Sequence, residues 1–128
     1  MFEISVKTHF SAAHHLRGYK GMCATPHGHN WEVQVCLRGE RLNSTGFLVD
    51  FREVKTAVGE ALADLDHQDL NTLPQFSREN PTSEHLARYL YGVLSGKFRR
   101  PGCRVKRVSV SETPGTEASY EAGSQRKR

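Results

Sequence analysis

Three histidines near the start of the chain have the residue type and spacing of a metal site. His27 and His29 flank a glycine in an extended segment, where residues two apart point to the same side. His14 ends an earlier segment and shares the parity of its apolar face, whereas the rival ligand His15 points to the other face. Three imidazoles with an open fourth position form the ligand set of a catalytic Zn²⁺. The sequence therefore predicts a zinc site, although His14 could instead be a hydrogen-bonded histidine at the edge of the core.

Other residues offer acid–base or binding chemistry. Cys23 lies four residues before His27, where it could be a thiolate nucleophile or base, or an ordinary loop cysteine. Asp66 could fix the tautomer of His67, or His67 could simply favour the negative end of a helix. Glu112 ends an apolar row, where its carboxylate could pair with adjacent N–H donors of a flat ligand or reach solvent.

Hydrophobic periodicity predicts the elements that must position these groups. A period of two predicts four strands, and a helical period predicts two helices between the second and third strands. The first strand is predicted to run from Phe2 toward His14 and His15, and the second to begin near His27 or His29 and reach Arg38. A third strand is predicted at 104–112 and a short fourth at 118–121. The first helix is predicted at 51–65, and the second begins near Thr82 or Ser83. Asp50 and Glu53 predict a capping box at the first helix, Phe51 begins its apolar stripe, and Gly96 predicts the end of the second helix. The order β-β-α-α-β-β predicts an α+β fold, an antiparallel sheet with both helices on one face.

Composition narrows the class of protein. A chain of 128 residues with 37% hydrophobic residues is long enough for one domain. It contains no apolar run that could span a membrane and no apolar core of a signal peptide, so we expect a cytoplasmic protein with no membrane partner. Three cysteines are too few for a disulfide scaffold. The net charge is +4, but part of the excess lies in the tail and in a turn, and no basic stripe is interleaved with aromatic residues. Ordinary surface charge is therefore favoured over a nucleic-acid partner, and a small polyanion would also suit this charge.

Six short segments, in order and covering about residues 2 to 121, form a pattern that is specific in combination. They are Phe10-Ser-Ala-Ala-His14, Cys23-x3-His27-Gly-His29, Val49-Asp-Phe51, Leu65-Asp-His67, Asn80-Pro-Thr-Ser-Glu84 and Ser111-Glu112-Thr113. Together they resemble the 6-pyruvoyltetrahydropterin synthase / 6-carboxytetrahydropterin synthase (QueD) family. Two departures are minor: His15 stands where an arginine is often found, and the basic tail after Tyr120 is extra.

The resemblance implies a fold, an assembly and a set of roles. The fold would be a tunnelling fold (T-fold) in a single pterin synthase domain at 1–121, followed by a flexible basic tail at 122–128. Trimeric barrels would stack into a homohexamer, a dimer of trimers with sites at the subunit interfaces. The implied roles are zinc binding for His14, His27 and His29, catalysis for Cys23, Asp66 and His67, and substrate binding for Glu112, Thr82, Ser83 and Glu84.

The resemblance also implies an activity. The spacing Cys-x3-His-Gly-His is similar to that of the carboxytetrahydropterin synthases of queuosine (7-deazapurine) biosynthesis. Such an enzyme is a zinc-dependent lyase that converts 7,8-dihydroneopterin triphosphate to 6-carboxy-5,6,7,8-tetrahydropterin, acetaldehyde and triphosphate. The alternative within the family is a 6-pyruvoyltetrahydropterin synthase, which eliminates triphosphate without carbon–carbon cleavage. The alternative of another class is a non-catalytic zinc or nucleic-acid binding module, which gives Cys23, Asp66, His67 and Glu112 no joint purpose.

Overall fold

A five-stranded sheet, covered on one face by two helices, forms the body of the chain. The computed structural model describes residues 1–123. Its elements are β1 (Phe2–His14), β2 (His27–Gly39), α1 (Phe51–Ala63), β3 (Gln68–Asp69), α2 (Ser83–Lys97), β4 (Cys103–Ser111) and β5 (Ala118–Tyr120). The strand order is β3-β1-β2-β4-β5, with every pair antiparallel except β1 and β3. The predicted α+β class and the pair of helices are confirmed.

The long hairpin of β1 and β2 is held in register by its apolar face. Its pairing runs from Phe2 opposite Gly39 to His14 opposite His27. Trp31 is fully buried and stacks on Phe10, with ring centroids 5.9 Å apart. A slip of one residue would turn this whole row to the opposite face. The burial that fixes the register therefore also fixes which way the histidines at the loop end of the hairpin point.

The first helix begins as predicted but without the full capping box. The Asp50 carboxylate accepts a hydrogen bond from the Arg52 amide at 2.9 Å, which makes Asp50 the N-cap. Glu53 does not complete the box because its carboxylate pairs with Arg100. Phe51 was expected in the core stripe, but it is 49% exposed since it occupies the first position of the helix, outside the packed face.

The second helix begins at Ser83, after its N-cap Thr82, and passes the predicted end. The Thr82 hydroxyl accepts a hydrogen bond from the His85 amide at 3.1 Å. The helix continues through Gly96 to Lys97, because the buried Phe98 closes its last turn. Tertiary burial at this end outweighs the helix-breaking tendency of glycine.

The strand β3 lies between the two helices, where the periodicity predicts no regular element. It consists of two residues that pair in parallel with Ala12 and Ala13 of β1, and two residues are too few to show an alternation. Within residues 1–123, neither helix combines the length and the apolar character needed to cross a membrane. Most of the predicted basic tail at 122–128 lies outside the described residues.

Candidate metal centre and adjoining groove

The loop end of the β1–β2 hairpin, where residues 15–26 connect the two strands, brings three imidazoles together. One ligand atom each from His14, His27 and His29 lies within 4.8 Å of the other two. The ring centroids are 4.6 to 5.1 Å apart. His14 and His27 are opposite one another in the strand register, and His29 follows two residues later on the same side. His15 is not a member of this cluster.

Main-chain carbonyls set the tautomer of two of these rings. His14 Nδ1 lies 2.8 Å from the carbonyl oxygen of Pro81, and His27 Nδ1 lies 2.7 Å from that of Thr25. Because a carbonyl can only accept, each Nδ1 carries the proton and each Nε2 keeps its lone pair. The Nε2 atoms of His14 and His29 are buried and have no hydrogen-bond partner. Buried lone pairs that converge without a donor fit a bound metal ion.

The electrostatics of the cluster favour neutral rings. Burial lowers the pKa of His14, with a smaller opposing effect from its bond to the Pro81 carbonyl and from the Glu112 carboxylate. Burial also lowers the pKa of His29, again opposed by Glu112. A neutral imidazole is the form that binds a metal, since the proton and the ion compete for the same lone pair.

Glu112 lies beside the cluster, immediately after the end of β4. Its two carboxylate oxygens are 3.6 Å from His14 Nε2 and 3.7 Å from His29 Nε2, and one third of its side chain is exposed. This position follows from the pairing of β4 with β2, in which Ser111 lies opposite Glu32. Glu112 also lines an open groove of about 490 Å³. It therefore connects the imidazole cluster with a space that a small molecule could occupy.

The start of α2 forms part of the same groove. Ser83 and Glu84 line it, whereas the Thr82 hydroxyl is engaged in capping the helix. The opposite side comes from the segment before and within β5, including Thr116 and Glu117, which the sequence analysis did not single out. Both residues precede a strand of only three residues and belong to none of the motifs, so no pattern in the sequence marks them as lining a groove.

Cys23 lies in the loop that closes the hairpin. It is half-buried in a single helical turn, Met22–Ala24, and its carbonyl accepts a hydrogen bond from the Leu16 amide at 2.8 Å. Leu16 comes two residues after His14, and His27 comes four residues after Cys23. The thiol is thus carried on a short connection between two members of the cluster.

Asp66 and His67 form a pair at the other edge of β1. His67 Nδ1 donates to the Asp66 carboxylate at 2.9 Å, and so does the Ser11 amide, also at 2.9 Å. The His67 amide in turn donates to the Ser11 carbonyl at 2.6 Å. The amide of Ser11, and next the His67 ring, lower the pKa of Asp66. His67 has a φ of 61°, a strained conformation for a residue with a side chain, and strain of this kind gathers at functional sites.

The structure does not bring this pair into the cluster of the same chain. His67 is 79% exposed and sits beside Ser11, three residues before His14, or about 10 Å along an extended strand. Its ring faces solvent on an edge that β3 covers only at Ala12 and Ala13. The pair is therefore available to a neighbouring molecule.

The sheet, the paired helices and the imidazole cluster define a T-fold protein with a candidate metal centre, and comparison with known proteins gives the family. The chain belongs to the 6-pyruvoyl tetrahydropterin synthase family, whose model matches residues 3–123. The resemblance drawn from the motifs is confirmed.

Individual relatives carry the names of two pterin synthases. A 6-carboxy-5,6,7,8-tetrahydropterin synthase of Bacillus subtilis is 34% identical over 128 residues, covering 93% of this chain and 84% of the relative. A protein of Archaeoglobus fulgidus, which bears the same name provisionally, is 38% identical over 109 residues, covering 85% and 86%. The structure of Caenorhabditis elegans 6-pyruvoyl tetrahydropterin synthase superposes with a TM-score of 0.86 at 28% identity, covering 95% and 96% of the two chains.

Proposed function

We propose that the protein is a 6-carboxy-5,6,7,8-tetrahydropterin synthase of queuosine biosynthesis. It would convert 7,8-dihydroneopterin triphosphate to 6-carboxytetrahydropterin, acetaldehyde and triphosphate. The observation that carries the proposal is the spacing of Cys23, His27 and His29, combined with the convergence of both histidines and His14 on one point. The Bacillus subtilis relative, aligned over nearly the whole chain, supports the carboxy rather than the pyruvoyl product.

The three imidazoles would hold zinc. The unpartnered Nε2 atoms of His14 and His29, and the carbonyls behind the His14 and His27 rings, fit a d¹⁰ cation that prefers nitrogen ligands and leaves a position open for substrate. Zinc bound there supplies Lewis acidity toward the oxygens of the substrate's side chain. The contribution of the chain is a prearranged set of ligands, because carbonyls hold the His14 and His27 rings in one tautomer before the ion arrives.

Glu112 would anchor the pterin. A pterin ring offers adjacent N–H groups that a carboxylate can accept with both oxygens. Glu112 lies between the groove and the cluster, so a ring held by it would direct its side chain toward the metal centre. Ser83 and Glu84 would line the ring's pocket, and Thr82 would support it by capping the helix that carries them.

Cys23 and the Asp66–His67 pair would move the protons. A thiolate near a cation is a competent base, and an imidazole oriented by a carboxylate is a competent acid or base. The exposed position of His67 on the edge of β1 supports a site completed by a neighbouring subunit, as in the homohexamer implied by the family. In that assembly the pair of one chain would serve the cluster of another.

The test is a product analysis of the zinc-loaded protein with 7,8-dihydroneopterin triphosphate. We expect acetaldehyde and 6-carboxytetrahydropterin in equal amounts, identified by mass after trapping the aldehyde. The matched control is Cys23→Ala with the same zinc content, which should release neither product at a comparable rate. Triphosphate and 6-pyruvoyltetrahydropterin without acetaldehyde would instead identify a 6-pyruvoyltetrahydropterin synthase, the activity named for the Caenorhabditis elegans structure.

A further inference from the structure

Two asparagine side chains extend the sheet edge beyond the end of β1. Asn71 accepts a hydrogen bond from the His15 amide at 2.9 Å and donates to the His15 carbonyl at 3.1 Å. Asn80 does the same with Arg17, at 2.9 and 3.0 Å. Each primary amide thus reproduces the two bonds that a neighbouring strand would exchange with one residue. We call this pair of amides, Asn71 and Asn80, the asparagine clamp.

The clamp continues the edge where main-chain pairing stops. β3 pairs with β1 at Ala12 and Ala13, and the next residues bonded on that side are His15 and Arg17, two and four residues after Ala13. The Arg17 guanidinium adds a bond to the carbonyl of the buried Phe76 at 2.7 Å. The segment after β1 is therefore fixed to the chain between α1 and α2 by side chains alone.

Leu16, the residue between the two clamped positions, forms its backbone hydrogen bond on the opposite side of the segment. Leu16 donates its amide to the carbonyl of Cys23, at 2.8 Å. Alternate residues of an extended segment present their backbone groups to opposite edges, so clamping His15 and Arg17 leaves the Leu16 amide aimed at the Cys23 loop. The backbone hydrogen bond that ties Cys23 to the segment following His14 thus depends on the clamp.

We propose that Asn71 and Asn80 are positioning residues that set where the Cys23 thiol lies relative to the imidazole cluster. The inference rests on the role proposed for Cys23 and deepens it. The clamp acts through Leu16, without touching substrate or metal. Asn80 also precedes Pro81, whose carbonyl orients His14, so one short segment holds both the thiol loop and a cluster ring.

Asn71→Ala is the variant of choice, because Asn71 does not line the groove and, unlike Asn80, does not adjoin Pro81, whose carbonyl orients His14. Removing both bonds of one amide should let the Cys23 loop open more often. We expect the rate of Cys23 modification by a thiol reagent to rise about tenfold. Turnover should fall by about 10- to 100-fold at saturating substrate, the scale for a misplaced catalytic group, with KM and zinc content nearly unchanged.

The control is Asn43→Ala. Asn43 also bonds two backbone groups, the amides of Thr45 and Phe47, but in a turn on the far side of β2. Asn43→Ala should lower the thermal unfolding temperature by about as much as Asn71→Ala does, and it should leave the rate of Cys23 labelling unaltered. Should Asn71→Ala fail to fold, Asn71→Asp takes its place, since it keeps the acceptor for the His15 amide and should give an intermediate labelling rate.

A double variant separates positioning from general damage. If the clamp acts through the thiol, adding Asn71→Ala to Cys23→Ala should lower turnover no further. Independent, multiplicative losses would overturn the proposal, as would an unaltered labelling rate in Asn71→Ala. Labelling needs no substrate, so it judges the clamp even if the unaltered protein fails to cleave the pterin triphosphate, a result that would count against the proposed function alone.

Discussion

Replacing Glu112 by glutamine tests how the groove would recognise a pterin. The substitution keeps the shape of the side chain, but it removes the charge and turns one of two acceptors into a donor. That donor would face the ring's N–H groups and repel them. Breaking a buried, charged hydrogen-bonded pair costs about 2–5 kcal/mol. Because one third of the Glu112 side chain is exposed, the lower part of that range applies, about 2–3 kcal/mol.

The corresponding weakening of pterin binding is about 30- to 150-fold in Kd. Calorimetric titration with a pterin that cannot react, such as oxidised neopterin, measures it directly. Zinc should remain at its original content, since the three imidazoles are sufficient ligands. Glu117→Gln is the matched control, because it removes the same charge from the same groove at a position without a contact to the cluster.

Two outcomes would refute this reasoning. Equal weakening in both variants would mean that the groove's overall charge, rather than pairing with Glu112, attracts the ring. Loss of zinc in Glu112→Gln would make this carboxylate a metal ligand, a role consistent with its 3.6 and 3.7 Å approach to two imidazole nitrogens.

Four further outcomes are expected. Cys23→Ala should keep its zinc and its pterin affinity but lose turnover by about 10²-fold or more; zinc loss measured by elemental analysis would make the thiol a ligand. His27→Ala should lose most of its zinc, and full occupancy would exclude the cluster as the metal site. A thiol reagent at pH 8 should modify one cysteine per native chain and three after denaturation. The reason is that Cys36 and Cys103 are only 1% and 8% exposed, and burial raises the pKa of both thiols. In native Cys23→Ala the number of modified cysteines should drop to none. Light scattering should give the mass of six chains, and a stable monomer at micromolar concentration would contradict sites shared between subunits.

The sequence by itself determined the parts that depend on local periodicity. Alternation in β1 and β2 places His14, His27 and His29 on the face of the buried Trp31, because residues two apart on a strand share a side. The Asp50 and Thr82 caps are equally local, since each satisfies an amide only two or three residues away. The family motifs could be recognised for the same reason, each being a short run of adjacent residues.

Only the tertiary structure decided what depends on distant parts of the chain meeting. The tautomer of His14 is set by a carbonyl 67 residues away, and Asn71 meets His15 across 56 residues. The Glu53 carboxylate pairs with Arg100, 47 residues further on, instead of completing the capping box. Such partners are chosen by packing, and a backbone carbonyl or a single asparagine has no pattern that a sequence could display. The distance of His67 from the imidazole cluster of its own chain is likewise decided by packing. After α1 the chain returns to the edge of β1, where the His67 amide bonds to Ser11 and β3 pairs with Ala12 and Ala13.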